Sequence, residues 1–206
     1  MLYGIIKDES DIKRFIQCND KDDIWGENFE GWKFNLRLGS EVYLSSEDIP
    51  EKLNKGDLIS IRSGEFALLI TEENITLPPD VMGFISMRFK YKRKGLINVS
   101  GFHVDPGYEG KLIFSVYNAG PSDIVVRRLD SLFMIFFERI SEDIDEKYRP
   151  KHGYNNIPSD MVSDIKGRSV TLSNNAAKIE KLEFYFKILL GVVIAMLTLV
   201  VKGLLE

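Results

Sequence analysis

Between Lys33 and Phe137 the chain reads as a succession of short β-type runs: Lys33–Leu38, Leu58–Arg62, Phe66–Thr71, Leu96–Ser100, Leu112–Tyr117, Ile124–Val126 and Leu132–Phe137. Turn-forming groups separate them: Arg37-Leu38-Gly39, Ser63-Gly64, Leu77-Pro78-Pro79-Asp80, Asp105-Pro106-Gly107 and Asn118-Ala119-Gly120. Gly admits positive φ and Pro fixes φ, so each group ends a strand. Many short strands punctuated this way predict an all-β sandwich or barrel. Ahead of them, Ile12, Phe15 and Ile16 fall at helical spacing within Ser10–Gln17. Asp8, Glu9, Ser10 and Asp11 supply the acids that suit a helix N-terminus.

The pattern changes after residue 140. Residues 141–168 are polar, carry Pro150, Gly153, Pro158 and Gly167, and read as an extended arm or linker. Within 169–183, Leu172, Ala176, Ile179 and Leu182 recur by three and four, a short coiled-coil seam. Ile188–Val201 carries no charge and is bracketed by Lys187 and Lys202. As a helix that stretch reaches only ~21 Å, but residues 184–205 reach ~33 Å, enough for a hydrocarbon core of ~30 Å. The lysines can snorkel to the headgroups, and Phe184, Tyr185 and Phe186 suit the interface. The alternative is a buried core helix, which ordinarily keeps a polar stripe; here only Thr198 interrupts the apolar surface. The division is a β domain over 1–140, an arm over 141–168, a seam over 169–183 and a transmembrane helix over 184–205.

Length and charge narrow the function. With 206 residues the chain holds one domain and an appendage. Lys and Arg total 27 against 31 Asp and Glu, a net charge of −4, without the basic footprint of a nucleic-acid binder. Cys18 is the only cysteine, so no disulfide forms within the chain and no four-ligand zinc site arises without carboxylates. The N-terminus is charged at positions 7–9 and 11 and lacks the apolar run of a signal peptide. No GxGxxG, Walker loop, HExxH or GxSxG occurs. His103 and His152 are far apart and read as structural or surface residues.

Two segments carry candidate chemistry. Arg88-Phe89-Lys90-Tyr91-Lys92-Arg93-Lys94-Gly95 packs five basic residues into an acidic protein. It is either a solvated strand and loop or a phosphate site, in which Arg offers a planar fork and Lys a mobile charge. His103-Val104-Asp105-Pro106-Gly107-Tyr108-Glu109-Gly110 sets a carboxylate at a strand end before a tight turn and an aromatic. It is either a plain hairpin or a pocket in which Asp105 bonds a sugar hydroxyl and Tyr108 packs against the sugar.

In order and spacing these segments resemble the dCTP deaminase/trimeric dUTPase superfamily from about Phe34 to Gly153. Phe34-Asn35-Leu36-Arg37-Leu38-Gly39 is similar to its D-x-R-L-G element, with Asn35 for Asp. Thr76–Gly83 resembles the element before R-S-S-x-x-R-x-G-L, which becomes Arg88–Leu96. I-D-P-G-[YFW]-x-G becomes Val104–Gly110, followed by Tyr117-Asn118-Ala119-Gly120. K-Y-x-x-Q-x-G becomes Lys147–Gly153, and a one-residue shortening falls between Gly95 and Asp105. The resemblance implies a dUTPase-like β-barrel or jelly-roll-type domain, homotrimeric, with sites between subunits. It assigns phosphate binding to Arg88, Lys90, Arg93, Lys147 and Lys151, and sugar or base binding to Asp105 and Tyr108. Ser115 stands where family deaminases carry the glutamate that activates water, Phe89 and Lys90 where they carry two serines, and Met134 at a late-strand glutamine position. A serine cannot accept a proton near neutral pH as a carboxylate can.

The resulting expectation is a membrane-anchored, cytoplasmic-facing trimer. It binds dCTP or dUTP without catalysis, as a sensor or regulatory module, and holds no metal of its own. An active divergent deaminase or dUTP pyrophosphatase is the alternative; it would retain Asp105, and the pyrophosphatase would use Mg²⁺ on the phosphates. A structural membrane trimer without ligand is the third reading.

Overall fold

The computed structural model describes residues 4–18, 24–150, 153–165 and 172–205. The first elements are β1 (Gly4–Ile5), α1 (Glu9–Phe15), β2 (Ile16–Gln17), α2 (Ile24–Asn28), β3 (Lys33–Leu44), β4 (Glu51–Lys52), β5 (Leu58–Ile61) and β6 (Phe66–Thr76). Then follow β7 (Val81–Met87), α3 (Phe89–Lys92), β8 (Leu96–Asn98), β9 (His103–Val104), β10 (Glu109–Asn118), β11 (Ile124–Arg127) and β12 (Ser131–Arg139). A 3-10 turn (Glu146–Tyr148), α4 (Ser159–Ile165) and α5 (Leu172–Leu205) complete the order. The chain divides into two compact units, residues 1–169 and 170–206.

The first unit is a mainly β, antiparallel structure, as the turn-punctuated pattern predicts. β12 lies between β3 and β7, and β7 pairs onward with β9. β10 lies between β6 and β8, and β6 pairs with β3. β3 belongs to both layers: Lys33–Arg37 pair with β12, whereas Leu38–Leu44 pair with β6. The strand turns this corner at Gly39, where a Cβ would meet the Thr71 carbonyl oxygen at 2.5 Å. Inner faces close on one another, with the Phe114 and Phe133 rings stacked at 3.6 Å. β5 and β11 form a separate two-stranded ribbon. α1 is capped by Asp8, whose carboxylate accepts from the Ser10 and Asp11 amides, and it buries Ile12 and Phe15.

β3 and β6 run well past the ends predicted for them, because their far halves carry acids that the hydrophobic pattern reads as loop. In β6 the register slips between Ile70 and Asn74. Thr71 Oγ1 accepts from the Leu112 amide at 2.9 Å and donates to the Glu73 carbonyl at 2.8 Å. The bulge turns Glu73 fully inward, where Arg37 Nε donates to its Oε1 at 2.7 Å and the Arg37 amide to Oε2 at 2.9 Å.

The polar segment after β12 docks on the β domain. Gly153 N donates to the Glu109 carbonyl at 2.8 Å, and Lys111 N to the Tyr154 carbonyl at 2.7 Å. Gly110 and Gly153 meet backbone to backbone, since a Cβ on Gly110 would lie 2.7 Å from Gly153 Cα. Ile157 and Val162 then join Tyr43, Leu68 and Ile70 in a small second apolar cluster, outside the main core. The extended arm read from the sequence therefore contains a helix, α4, and buries apolar side chains.

The second unit is one continuous helix, α5. Its 34 residues reach ~51 Å at 1.5 Å each, and an 18-residue stretch within Lys178–Lys202 averages a hydropathy of 2.4. It is long and apolar enough to cross a membrane. Seam residues Ile179 and Leu182 lie on the same helix, both exposed.

Candidate functional site

α3 grows directly from the end of β7. Arg88 is the N-cap: its amide donates to the Leu132 carbonyl at 2.9 Å, and its carbonyl accepts from the Tyr91 amide at 3.0 Å. Tyr91 is buried and donates its hydroxyl to Asp130 Oδ2 at 3.3 Å. Burial, and then the Asp130 charge, push the Tyr91 phenol up to about 12. This single buried anchor orients the turn, so that Phe89, Lys90, Lys92, Arg93 and Lys94 are exposed and Arg88 half-buried. The basic run is thus one helical turn rather than a strand and loop. Gly95 ends it at φ 97°, where a Cβ would overlap the backbone of Gly120. Lys92 Nζ donates to Ser86 Oγ at 2.8 Å, and Lys90 Nζ lies 5.2 Å over the Tyr91 ring. Arg88, Lys90 and Arg93 form no ion pair among the described residues. A cleft of about 400 Å³ opens beside the turn, lined by Ile85, Ser86, Met87, Lys92, Leu96, Ile97 and Asn98.

Asp105 and Tyr108 sit in the turn after β9. The Tyr108 amide donates to the Asp105 carbonyl at 3.2 Å, the Gly107 amide to the Pro78 carbonyl at 3.2 Å, and the Leu77 amide to the Tyr108 carbonyl at 2.8 Å. Asp105 is exposed and lies 3.4 Å from His103 Nε2. His103 is therefore the neighbour of a candidate site residue, a placement legible in the H-x-D spacing, since alternate residues of a strand share a face. Tyr108 is half-buried and donates to the Lys111 carbonyl at 2.5 Å. Burial is the main cause that pushes its phenol up to about 12.

Lys147 lies in the 3-10 turn, exposed, with Nζ 3.1 Å from Asp145 Oδ2 and 4.8 Å over the Tyr148 ring. Two residues on, Arg149 packs its aliphatic stem against Gly107, and its Nε donates to the Ile144 carbonyl at 3.0 Å. The Lys147 segment and the Asp105 turn are thus neighbours. Lys151 lies outside the described residues.

Within one chain the α3 cations and Asp105 stand apart. Asp105 follows Val104, which pairs with Gly83. Arg88 lies five residues beyond Gly83 on β7, ~17 Å along the strand at 3.4 Å per residue. Ser115 is half-buried on β10, and its carbonyl accepts from Val99 at 2.8 Å and Ser100 at 3.3 Å. Met134 lies in β12, opposite Ser86 and Asn35. The described residues contain no group of three or more His, Cys, Asp or Glu able to hold a metal ion.

A family model for dCTP deaminase-like proteins matches residues 34–140. A dCTP deaminase from Pyrococcus abyssi is 32% identical over 116 residues, which cover 56% of this chain and 73% of that protein. A dCTP deaminase from Shewanella sp. strain ANA-3 is 32% identical over 116 residues, with 56% of its own length covered. Among solved structures, the 2'-deoxycytidine 5'-triphosphate deaminase from Agrobacterium tumefaciens superposes with a TM-score of 0.55 at 18% identity. The superposition covers 68% of this chain and 50% of that one. The chain thus spans about half the length of the Shewanella and Agrobacterium proteins, and the superposition establishes a common fold. With more than half of its residues inside the family match, including α3, the Asp105 turn and Ser115, the chain belongs to the dCTP deaminase-like family.

Proposed function

We propose that this protein is a membrane-anchored, trimeric deoxynucleotide sensor that binds dCTP or dUTP and does not deaminate it. The observation that carries the reading is the contrast between α3 and β10. α3 presents Arg88, Lys90 and Arg93 free of ion pairs, while β10 offers only the hydroxyl of Ser115 where family deaminases have a glutamate. Loss of general acid–base catalysis alone costs ~10²–10⁴-fold in rate. Phe89, in place of a water-holding serine, removes a second component.

The trimer follows from the family resemblance, and two features support it. Arg88 and the Asp105 turn stand ~17 Å apart along the backbone of one chain, a separation compatible with phosphate and sugar groups that come from adjacent subunits. The outward face of β7 and β12 is also apolar: Phe84 stacks on Phe102 and Phe136, and Phe136 meets Trp32. Phe102 is exposed, as expected of a face that another subunit covers. Lys147 and Lys151 would add charge to the phosphates from the arm. Mg²⁺ would enter with the triphosphate, since no carboxylate cluster among the described residues holds it. α5 would anchor the trimer, leaving the β domain on the cytoplasmic side.

Calorimetry on the full-length chain in detergent tests the phosphate site. Arg93→Ala should weaken dCTP or dUTP by ~1.5–3 kcal/mol, the worth of a well-formed bond between charged groups. Arg93→Lys should restore only part, because a point charge does not reproduce the fork. Unchanged affinity in both variants would leave α3 a solvated turn.

A further inference from the structure

Phe89 is the anomaly of α3. Its side chain is 75% exposed, on a turn otherwise composed of cations and the buried Tyr91. The other prominently exposed rings of the β layers have ring neighbours: Phe102 rests on Phe84, and Trp32 on Phe136. Phe89 has no ring partner among the described residues. Lys90 directs its ammonium over Tyr91 instead, leaving the Phe89 face clear of a cation. The backbone there is held firmly, since the Phe89 carbonyl accepts from the Arg93 amide at 3.0 Å.

We infer that Phe89 is the base-stacking platform of the nucleotide site, an inference that rests on the phosphate reading of α3. A flat apolar ring beside a cluster of Arg and Lys matches the two ends of a nucleotide, a base with a π-face and a polyanionic tail. Phe89 and Arg93 bound one helical turn, ~6 Å along its axis, so the ring and the guanidinium face the base and the phosphates of one ligand. Stacking is tolerant of base identity because every base has a π-face. The site therefore discriminates nucleotides from bare polyphosphate more strongly than it discriminates one base from another. Replacing a hydroxyl by a ring at this position also exchanges water-holding for base-holding, which suits a binder rather than a hydrolytic enzyme.

The test compares dCTP and dUTP with inorganic tripolyphosphate, which has the charge but no base, on the full-length chain in detergent. Because Phe89 is exposed, Phe89→Ala leaves the core intact. It should weaken both nucleotides roughly five- to hundredfold and leave tripolyphosphate within about twofold. Phe89→Trp should keep nucleotide affinity, and its added indole emission should be quenched by dCTP or dUTP but not by tripolyphosphate. Equal losses for nucleotide and tripolyphosphate, no loss for either, or indole emission indifferent to a bound nucleotide would overturn the stacking role while leaving nucleotide binding standing. A wild-type chain that binds tripolyphosphate and no nucleotide better would overturn it too. A wild-type chain that binds none of the three would remove the nucleotide reading itself.

Discussion

Glu73 has no exposed surface and Arg37 almost none, so removing either charge strands the other in the core. Burial pushes the Glu73 carboxyl above its ordinary range, and the Arg37 guanidinium and amide, with Glu73's own backbone N–H, act against that rise by favouring the anion. Arg37→Met should therefore destabilise by ~3–5 kcal/mol in a denaturant titration, the cost of an uncompensated buried charge. A loss below ~1 kcal/mol would mean that Glu73 is neutral or reaches water. Arg37 belongs to the Asn35-Leu36-Arg37-Leu38-Gly39 motif, and its burial gives that motif a packing role rather than a ligand. The two shifted phenols predict alkaline behaviour. Tyr91 and Tyr108 ionise near 12 in the folded chain and near 10.0 in the unfolded one. Their contribution to stability is complete below pH 10 and is lost as the pH rises toward 12. Phenolate absorbance should show a late-titrating fraction that shrinks in Tyr91→Phe and again in Tyr108→Phe; an unchanged profile would contradict the burial of both rings.

The Gly110–Gly153 contact decides whether the arm can dock. A Cβ on Gly153 would fall 2.8 Å from the Glu109 carbonyl carbon and the Gly110 Cα. Gly153→Ala should cost ~1–3 kcal/mol of overpacking, relieved by lifting the arm away from β10. Limited proteolysis should then cut between Gly153 and Ile165 faster than in the wild type, with the β domain intact; equal rates would mean that the docked arm does not depend on this contact. Seven of the strands and the Asp105-Pro106-Gly107 turn were legible because alternating hydrophobicity and turn chemistry act locally. α3 was not, because its helical turn is set by Tyr91 reaching Asp130, a contact 39 residues away in sequence that leaves no period in a run of cations. β7 escaped the pattern because Met82, Gly83 and Met87 dilute its β-type residues. α4 has too few turns to show a period, and its apolar face is defined by Tyr43, Leu68 and Ile70 on distant strands. The chemistry of the site was legible as residue types; the ~17 Å between its two halves was not, since spacing in sequence carries no register.

At the scale of the whole molecule, a β unit with uncommitted cations is joined in sequence to a long apolar helix. Full-length protein should remain with membranes through high-salt and carbonate washes. Asp in place of Ala195, near the centre of the apolar stretch, should cost ~2.5–3.5 kcal/mol of insertion and shift protein to the soluble fraction. Wild-type protein that is soluble without detergent would make α5 an oligomerisation helix instead. The central claim is binding without turnover. The most direct measurement incubates the full-length chain with dCTP at saturating concentration, as fixed by calorimetry, and follows ammonia and pyrophosphate release in the same sample. The account predicts saturable binding with neither product above the uncatalysed background. Release of either product at enzyme-like rates, or the absence of any binding of dCTP and dUTP, would contradict it.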